Sequence, residues 1–309
     1  MERHRVRLPL AIAVAAVAAV AAGAATVVLR PRDLIHPARV DATGYFSQSE
    51  LDRARDFRGP QRILGILALA SEGAVLGWIA IRPPRRVRRA LERAGARPLL
   101  GAAAVGAGAA VVLVLVTLPE SAIGQQRQRH YGLSNQTWAS WTGDVVKATG
   151  VSAVLAAVAT LLLMALIRRF PRSWFVGGAV ALVLLSVVFE YGSPLVIDPL
   201  FNKFTALPDG RLRASVFDLA HRAGVDVGQV YRVNASRQTT GANAYVTGIG
   251  GSKRVVLFDT LIDSFNPAEV DSVVAHELGH VKHRDVPRGL LWLAIVALPG
   301  MFLVQTLTQ

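Results

Sequence analysis

Six runs of apolar residues divide the chain, and each has about the length of a membrane-crossing helix. An α-helix needs roughly 20 predominantly apolar residues to cross a bilayer. The runs cover residues 8–29, 63–81, 99–118, 151–167, 174–189 and 290–307 and contain few charged side chains. We therefore expect six transmembrane helices. The first is expected to be an uncleaved span, because its apolar run is longer than that of a typical signal peptide.

The region between the fifth and sixth runs has the mixed composition of a water-soluble domain. Residues 230–233, 243–248 and 254–258 are rich in β-branched and aromatic residues and are expected to form strands. The small residues at 250–252 favour a hairpin between the last two strands. A small sheet is therefore expected in this region.

Two helices are predicted beside these strands. Apolar residues recur at helical spacing over residues 212–220, and this helix is expected to end before Gly224. A second helix is expected to begin at Pro267, because Asn266 can cap its first turn and Glu269 completes a capping box. A sheet with two helices is the minimal frame of a zincin-type hydrolase.

The sequence His-Glu-Leu-Gly-His, at residues 276–280, lies within the second of these helices. On an α-helix His276 and His280 share a face, so both imidazoles can reach one metal ion. Glu277 then lies beside the metal, where it can take a proton from a zinc-bound water and deliver it to a leaving amine. Two alternatives stay open: the motif arises by chance, or the histidines interrupt a core-directed stripe and are satisfied by hydrogen bonds in the core.

Composition limits the chemistry that the chain can carry. Hydrophobic residues make up 52% of the 309 residues, which favours a membrane protein. The chain has no cysteine, so disulfides, thiol catalysis and thiolate zinc ligands are excluded. Any metal must be held by histidine and carboxylate groups.

The net charge of +13 comes mostly from arginine. The arginines cluster at the ends of the apolar runs, and residues 82–97 contain seven of them. This placement favours contact with anionic lipid head groups, so membrane lipid is an expected partner and nucleic acid is not. Arginines also lie before the first run and in the loop that follows it. The side of the membrane that faces the soluble region therefore stays open.

Several further motifs follow one another along the chain. They are Tyr-Gly-Leu-Ser-Asn-Gln-Thr at 131–137, residues 144–147, Ile-Asp-Pro-Leu-Phe-Asn-Lys-Phe at 197–204 with residues 207–210, Gly-Ala-Asn-Ala-Tyr at 241–245 and Lys-Arg-Val-Val-Leu-Phe-Asp-Thr-Leu at 253–261. Together with the His-Glu-Leu-Gly-His helix they resemble the type I CAAX prenyl endopeptidases, which are related to the HtpX-type proteases. The resemblance covers roughly residues 120–290.

This resemblance implies a fold class and a domain plan. The fold would be a multi-span α-helical membrane protein with an inserted α+β zincin-like metalloprotease domain. Residues 1–190 would form an N-terminal membrane domain of five spans, residues 191–288 the catalytic domain, and residues 289–309 a sixth span.

The resemblance also implies a site for one Zn²⁺ ion. His276 and His280 would be metal ligands, and Glu277 would be the catalytic base. Asp285 stands where HtpX-type proteases have an aspartate, and it either orients a ligand imidazole or forms a salt bridge at a helix end. The third ligand of the family is a Glu on a later helix, which no residue of this chain matches. We expect the sequence to be a fragment that binds zinc weakly.

An extended peptide is expected to bind along residues 242–246 as an added strand. Ala242, Asn243 and Ala244 are the expected substrate-binding residues, and the Asn243 side chain could donate a hydrogen bond to the peptide backbone. An ordinary covered strand is the alternative for this segment.

These expectations combine into an integral membrane zinc-dependent endopeptidase of EC class 3.4.24 that hydrolyses peptide bonds through a zinc-activated water. The alternative is a non-catalytic membrane pseudoprotease or peptide-binding scaffold. Peptides or membrane proteins would be its substrates. The alanine- and arginine-rich composition favours a multi-pass protein of a bacterial cell membrane. Glu72, a carboxylate within the second apolar run, has no assigned role.

Overall fold

The computed structural model describes residues 2–30 and 40–308, with side chains from residue 12 onward. Its helices are α1 (Glu2–Val28), α2 (Gln48–Ile81), α3 (Arg85–Gly95), α4 (Pro98–His130), α5 (Trp138–Arg169), α6 (Trp174–Val196), α7 (Asp198–Phe201), α8 (Arg211–Ala223), α9 (Asp259–Ser264), α10 (Pro267–Lys282) and α11 (Asp285–Thr308). Its strands are β1 (Phe204–Ala206), β2 (Gln229–Val233), β3 (Ala244–Thr247) and β4 (Arg254–Phe258).

Within the described residues, five helical segments are long and apolar enough to cross a membrane. They are α2, α4, α5, α6 continued through α7, and α11, and they confirm five of the six predicted spans. Large apolar side chains on them lie at the surface, with Ile66 67% and Leu184 59% exposed, as contact with lipid tails requires. The first predicted span, residues 8–29, lies in α1. The side chains of residues 8–11 fall outside the described residues, and the remainder includes a shorter apolar helix, Ile12–Val28.

Several helices extend beyond the apolar runs that predicted them. α2 begins at Gln48, where Ser47 and Glu50 form a capping box, and α4 continues to His130. The arginine-rich segment between these helices forms α3, for which no element was predicted. Hydropathy locates the part of a helix that lies in lipid, but it carries no signal for the polar turns that continue the same helix into water.

The chain forms two compact units. One contains α1, α6 to α11 and the four strands, and the other contains α2 to α4, most of α5 and residues 237–240. The domain boundaries expected after residues 190 and 288 are boundaries of sequence composition, and they stay a prediction.

The four strands form one sheet in the order β1-β2-β4-β3. β2 and β4 are parallel, whereas β1 and β3 are antiparallel to their neighbours. The three predicted strands and the hairpin between β3 and β4 are confirmed, while β1 was not predicted. β3 lies at an edge of the sheet, so one of its sides has no strand neighbour in the described sheet.

One face of the sheet packs against α8 and α10 and encloses the main core. Its buried members include Val216 and Ala220 of α8, Val230, Ala244, Val255 and Leu257 of the sheet, and Val270, Val274 and Leu278 of α10. Burial of each large aliphatic side chain contributes roughly 1.5–3 kcal/mol. The core therefore fixes α10 to the sheet along one apolar stripe.

Asn266 fixes the start of α10. Its side-chain Oδ1 accepts hydrogen bonds from the backbone N–H groups of Ala268 at 3.0 Å and Glu269 at 3.1 Å. The Glu269 carboxylate accepts from the Asn266 N–H at 2.9 Å, and Pro267 occupies the first turn. The predicted capping box is confirmed.

Asn266→Ala is expected to lower the free energy of unfolding by about 1 kcal/mol, because two helix N–H groups lose their acceptor. Thermal or urea melts of the purified protein in detergent measure the loss. Asn266→Ser keeps a capping oxygen and should retain most of the stability. Equal free energies of unfolding for Asn266→Ala and the wild type would contradict a stabilising role for this cap.

Candidate metal centre

The two motif histidines lie on the exposed side of α10. Val270, Val274 and Leu278 point into the core, whereas His276 and His280 are both exposed. The expectation that the histidines interrupt a core-directed stripe is therefore wrong. Because both rings are exposed, the alternative that core hydrogen bonds satisfy them is also wrong.

The two imidazole rings converge on one point. Their Nε2 atoms are 3.1 Å apart, and the ring planes are nearly perpendicular at 88° with centroids 4.7 Å apart. This arrangement follows from the spacing of four residues, which brings two side chains one above the other on a helix. Because zinc holds nitrogen ligands at about 2.0–2.1 Å, two Nε2 atoms this close can reach a single ion.

Glu277 adds a carboxylate to this pair. Potential ligand atoms of His276, Glu277 and His280 all lie within 4.8 Å of one another. Glu277 is half-buried, while both histidines are exposed. The cluster therefore combines two imidazoles that can bind zinc with a carboxylate beside them that can act on a bound water.

A sharp turn after α10 returns Asp285 to the site. Arg284 has a φ of 56°, in the left-handed region that residues other than glycine rarely adopt, and α11 begins at the next residue. Asp285 Oδ2 consequently lies 2.6 Å from His280 Nδ1. A carboxylate that accepts the Nδ1–H leaves Nε2 as the lone-pair nitrogen. The two side chains are 39% and 53% exposed, so the contact contributes little to the stability of the fold.

The free side of β3 presents the main-chain groups of Ala244 and Val246. The Phe258 N–H donates to the Asn243 carbonyl at 3.0 Å, which makes Asn243 and Phe258 a hydrogen-bonded pair. In an antiparallel ladder such pairs alternate with pairs whose N–H and C=O groups point away from the partner strand. By the register of β3 and β4, Ala244 and Val246 belong to the second kind. Their amides and carbonyls form the open edge.

The three predicted substrate residues lie at the start of this edge. Ala242 and Asn243 are exposed, whereas the side chain of Ala244 is buried in the core at 2% exposure. α10 contacts β3, so the edge and the histidines belong to neighbouring elements. The structure thus brings together the predicted ligands and the predicted edge, while Ala244 offers its backbone rather than its side chain.

Asp259 and Thr260 support the entry to the edge, and sequence reasoning assigned them no role. Thr260 Oγ1 donates to the Gly241 carbonyl at 2.8 Å. The Asp259 carboxylate accepts from Ser236 N–H at 2.8 Å, Ser236 Oγ at 2.6 Å and Thr260 N–H at 2.9 Å. Burial raises the pKa of Asp259, but these hydrogen bonds outweigh burial and hold the pKa below its ordinary value. The sequence signal that could have identified Asp259 was its position as a carboxylate directly after the buried strand β4.

Tyr245 supports β3 from the opposite face of the sheet. Its ring packs beside the buried Val233 and Val256, and its hydroxyl donates to Asp198 Oδ2 at 3.4 Å. Burial, followed by the negative charge of Asp198, raises the pKa of Tyr245 well above its ordinary value. Asp198, a member of the motif at 197–204, therefore helps to hold the edge strand in place.

The segment before the edge strand pairs with the loop between α4 and α5. Ser134 and Thr239 form an antiparallel bridge, and Thr239 Oγ1 donates to the Leu133 carbonyl at 3.1 Å. Ser134 Oγ donates to the Gln238 carbonyl at 3.1 Å and accepts from the buried Gln125 amide at 3.0 Å. The motif at 131–137 thus forms a pairing site for residues 237–240, which no local pattern had predicted.

Two family models match the chain and together cover most of it. Residues 43–203 match the model described as "CAAX prenyl protease N-terminal, five membrane helices", which covers about half of the chain. Residues 206–309 match "Peptidase family M48". The first match ends just before β1 and the second begins within that strand.

Curated proteins with similar sequences are proteases by their printed names. The chain is 35% identical over 197 residues to the "Uncharacterized metalloprotease YhfN" of Bacillus subtilis, a match that covers 64% of this chain and 46% of that protein. It is 33% identical over 156 residues to "CAAX prenyl protease 1" of Saccharomyces cerevisiae, covering 50% of this chain and 34% of that protein. The chain therefore spans less than half the length of either relative.

The fold is similar to that of the crystal structure of S. mikatae Ste24p. The TM-score is 0.71 at 21% identity, and the match covers 94% of this chain and 70% of that one. A likeness at this identity shows the fold alone. It confirms the predicted class, a multi-span helical membrane protein with a mixed α and β region.

Arg284→Gly is expected to melt at the same temperature as the wild type or higher, because glycine adopts a positive φ without steric cost. Arg284→Val should lower the free energy of unfolding by roughly 1–2 kcal/mol, since Cβ branching makes the left-handed conformation worse. Thermal melts of both variants in one detergent measure the difference. A wild-type melt for Arg284→Val would show that this turn stores no strain.

Proposed function

The chain belongs to peptidase family M48 and carries the membrane region of the CAAX prenyl proteases, and on that premise we propose that it is a zinc-dependent endopeptidase of EC class 3.4.24. It is a multi-pass integral membrane protein. The observation that carries the proposal is the convergence of two imidazole Nε2 atoms, 3.1 Å apart, beside a carboxylate.

His276 and His280 are the proposed ligands of one zinc ion. Both rings are exposed and turn Nε2 toward the same point, and the chain has no thiolate that could compete. When bound, zinc supplies a Lewis acid that polarises a carbonyl and activates water. Asp285 is proposed to hold His280 in the tautomer that presents Nε2. The third ligand, expected from the resemblance to be a Glu, is assigned to no residue of this chain.

Glu277 is the proposed general base. Its carboxylate takes a proton from the attacking water as the new C–O bond forms, and it then delivers that proton to the amine as the C–N bond breaks. The ligand atoms of the two histidines lie within 4.8 Å of this carboxylate. A water bound between the histidines would therefore lie close to Glu277.

Substrate binding is assigned to the open edge of β3. An extended peptide that pairs with the outward amides and carbonyls of Ala244 and Val246 gains main-chain hydrogen bonds whatever its sequence. Ala242 and Asn243 are exposed at the start of this edge, and the Asn243 amide is proposed to contact the peptide backbone. This mode of binding suits a protease that accepts several sequences.

We propose peptide segments of membrane or membrane-associated proteins as the substrates. The name "CAAX prenyl protease" is that of relatives such as the yeast protein, and prenylation is not part of the proposal for this chain. A bacterial cell membrane is the proposed location, supported by the similarity to the Bacillus subtilis protein.

In a full-length protein that supplies the third zinc ligand, Glu277→Gln is expected to lower peptidase turnover by roughly 10²- to 10⁴-fold while zinc content is retained, because the base is lost and the imidazoles are not. Cleavage of a quenched fluorescent peptide and elemental analysis after dialysis measure the two effects. His276→Ala is the matched comparison and should lose zinc and turnover together. Wild-type turnover by Glu277→Gln would end the assignment of this base.

Val246→Pro tests the edge, because proline removes an N–H that points away from β4 and leaves the β3–β4 ladder intact. We expect KM for a peptide to rise roughly three- to tenfold, with little change in the melting temperature. Thr247→Pro removes an N–H that faces β4 and should instead lower the melting temperature. Unchanged KM in a folded Val246→Pro protein would place the substrate elsewhere.

A further inference from the structure

A polar cavity lies among membrane-spanning helices, in the unit that contains α2 and α4. A cavity of about 360 Å³ opens between these helices, with Trp141 of α5 at its side. Its polar lining includes Gln61 and Glu72 of α2 and Glu120, Ser121, Gln125 and Gln128 of α4. No arginine, lysine or histidine among the described residues lines it. The chain as a whole carries a net charge of +13, so a cavity with two carboxylates and no cation runs against its composition.

Two buried oxygen atoms of this lining lack a hydrogen-bond donor. Glu120 Oε1 accepts from Ser71 Oγ at 3.0 Å, but Glu120 Oε2 is buried without a partner in the described structure. Gln61 Oε1 is buried and unpartnered in the same way. Glu72, next to Ser71 in sequence, makes no hydrogen bond or ion pair with the described residues. The lining therefore holds two buried acceptors without a donor, beside hydroxyl and amide groups that can themselves donate.

A missing donor is costly at this position. Carboxylates on membrane-spanning helices are expensive and are kept where they meet a partner or a functional ligand. A buried acceptor without a donor costs about 1–3 kcal/mol, and more when it carries charge. An occupant with several N–H donors and a positive charge would remove this cost at both helices.

The volume of the cavity favours an organic cation over a bare metal ion. A bare metal ion leaves most of about 360 Å³ unfilled, and the acceptors come from two helices. A planar guanidinium has five N–H donors arranged for carboxylates, whereas an ammonium has three. We propose that this cavity, walled by Glu72, Glu120 and Gln61, is a binding site for an organic cation of the guanidinium or primary ammonium class. Such a cation could be a free small molecule or a basic side chain of a peptide.

The test uses propylguanidinium and its uncharged isostere propylurea with the full chain purified in detergent. Isothermal calorimetry at matched ionic strength is expected to show binding of propylguanidinium and none of propylurea. Glu72→Gln and Glu120→Gln should each weaken binding by about tenfold or more, because each removes a charged acceptor. Glu92→Gln, at an exposed position on α3, is the matched control and should bind as the wild type does.

A second arm separates the two sources of the cation. The peptide acetyl-Gly-Arg-Gly-amide is compared with its citrulline analogue, which has the same shape and no charge. Binding of the arginine peptide supports a peptide side chain as occupant, and binding of propylguanidinium alone supports a small molecule. If Glu120→Gln does not fold, Glu72→Gln carries the test, since Glu72 makes no hydrogen bond or ion pair with the described residues. Equal affinity for the charged and uncharged probes would overturn the proposal. Unchanged binding of propylguanidinium by a folded Glu72→Gln protein would overturn it as well.

Discussion

The packing of α10 on the sheet is the constraint on which the site depends. Val270, Val274 and Leu278 form one buried stripe, and this stripe decides which way every other side chain of the helix points. A helix turns by about 100° per residue, so a different buried stripe would separate the histidines from the edge of β3. The packing of α10 against the sheet thus sets the direction in which His276 and His280 point.

Local signals in the sequence predicted much of this frame. The cap at Asn266, the hairpin strands and the membrane spans each follow from residues within a few positions of one another. The features that the sequence did not predict depend on residues far apart along the chain. β1 has three residues and exists because it pairs with β2, and the side of α10 that is buried depends on the sheet beneath it. The contact of Asp285 with His280 needs a left-handed arginine, a conformation that the residue type argues against.

Two acidic residues lie apart from the arginine-rich surface of this molecule. The arginines of α3 are exposed. Glu72 and Glu120 instead line one cavity of the helical unit. The sequence identified Glu72 as unusual, but its neighbours come from a helix some fifty residues later, and only the packing of α2 with α4 brings them together.

The pairing of residues 237–240 with the loop between α4 and α5 has a consequence for how the protein is made. Leu133 and Thr239 are 106 positions apart, so this contact closes a long loop. Closing the loop lowers the conformational entropy of the chain before the contact stabilises the fold. During synthesis, α5, α6 and the first half of the sheet must all have emerged before Thr239 reaches its partner. The pairing of residues 237–240 therefore forms late in synthesis, after several membrane helices have emerged.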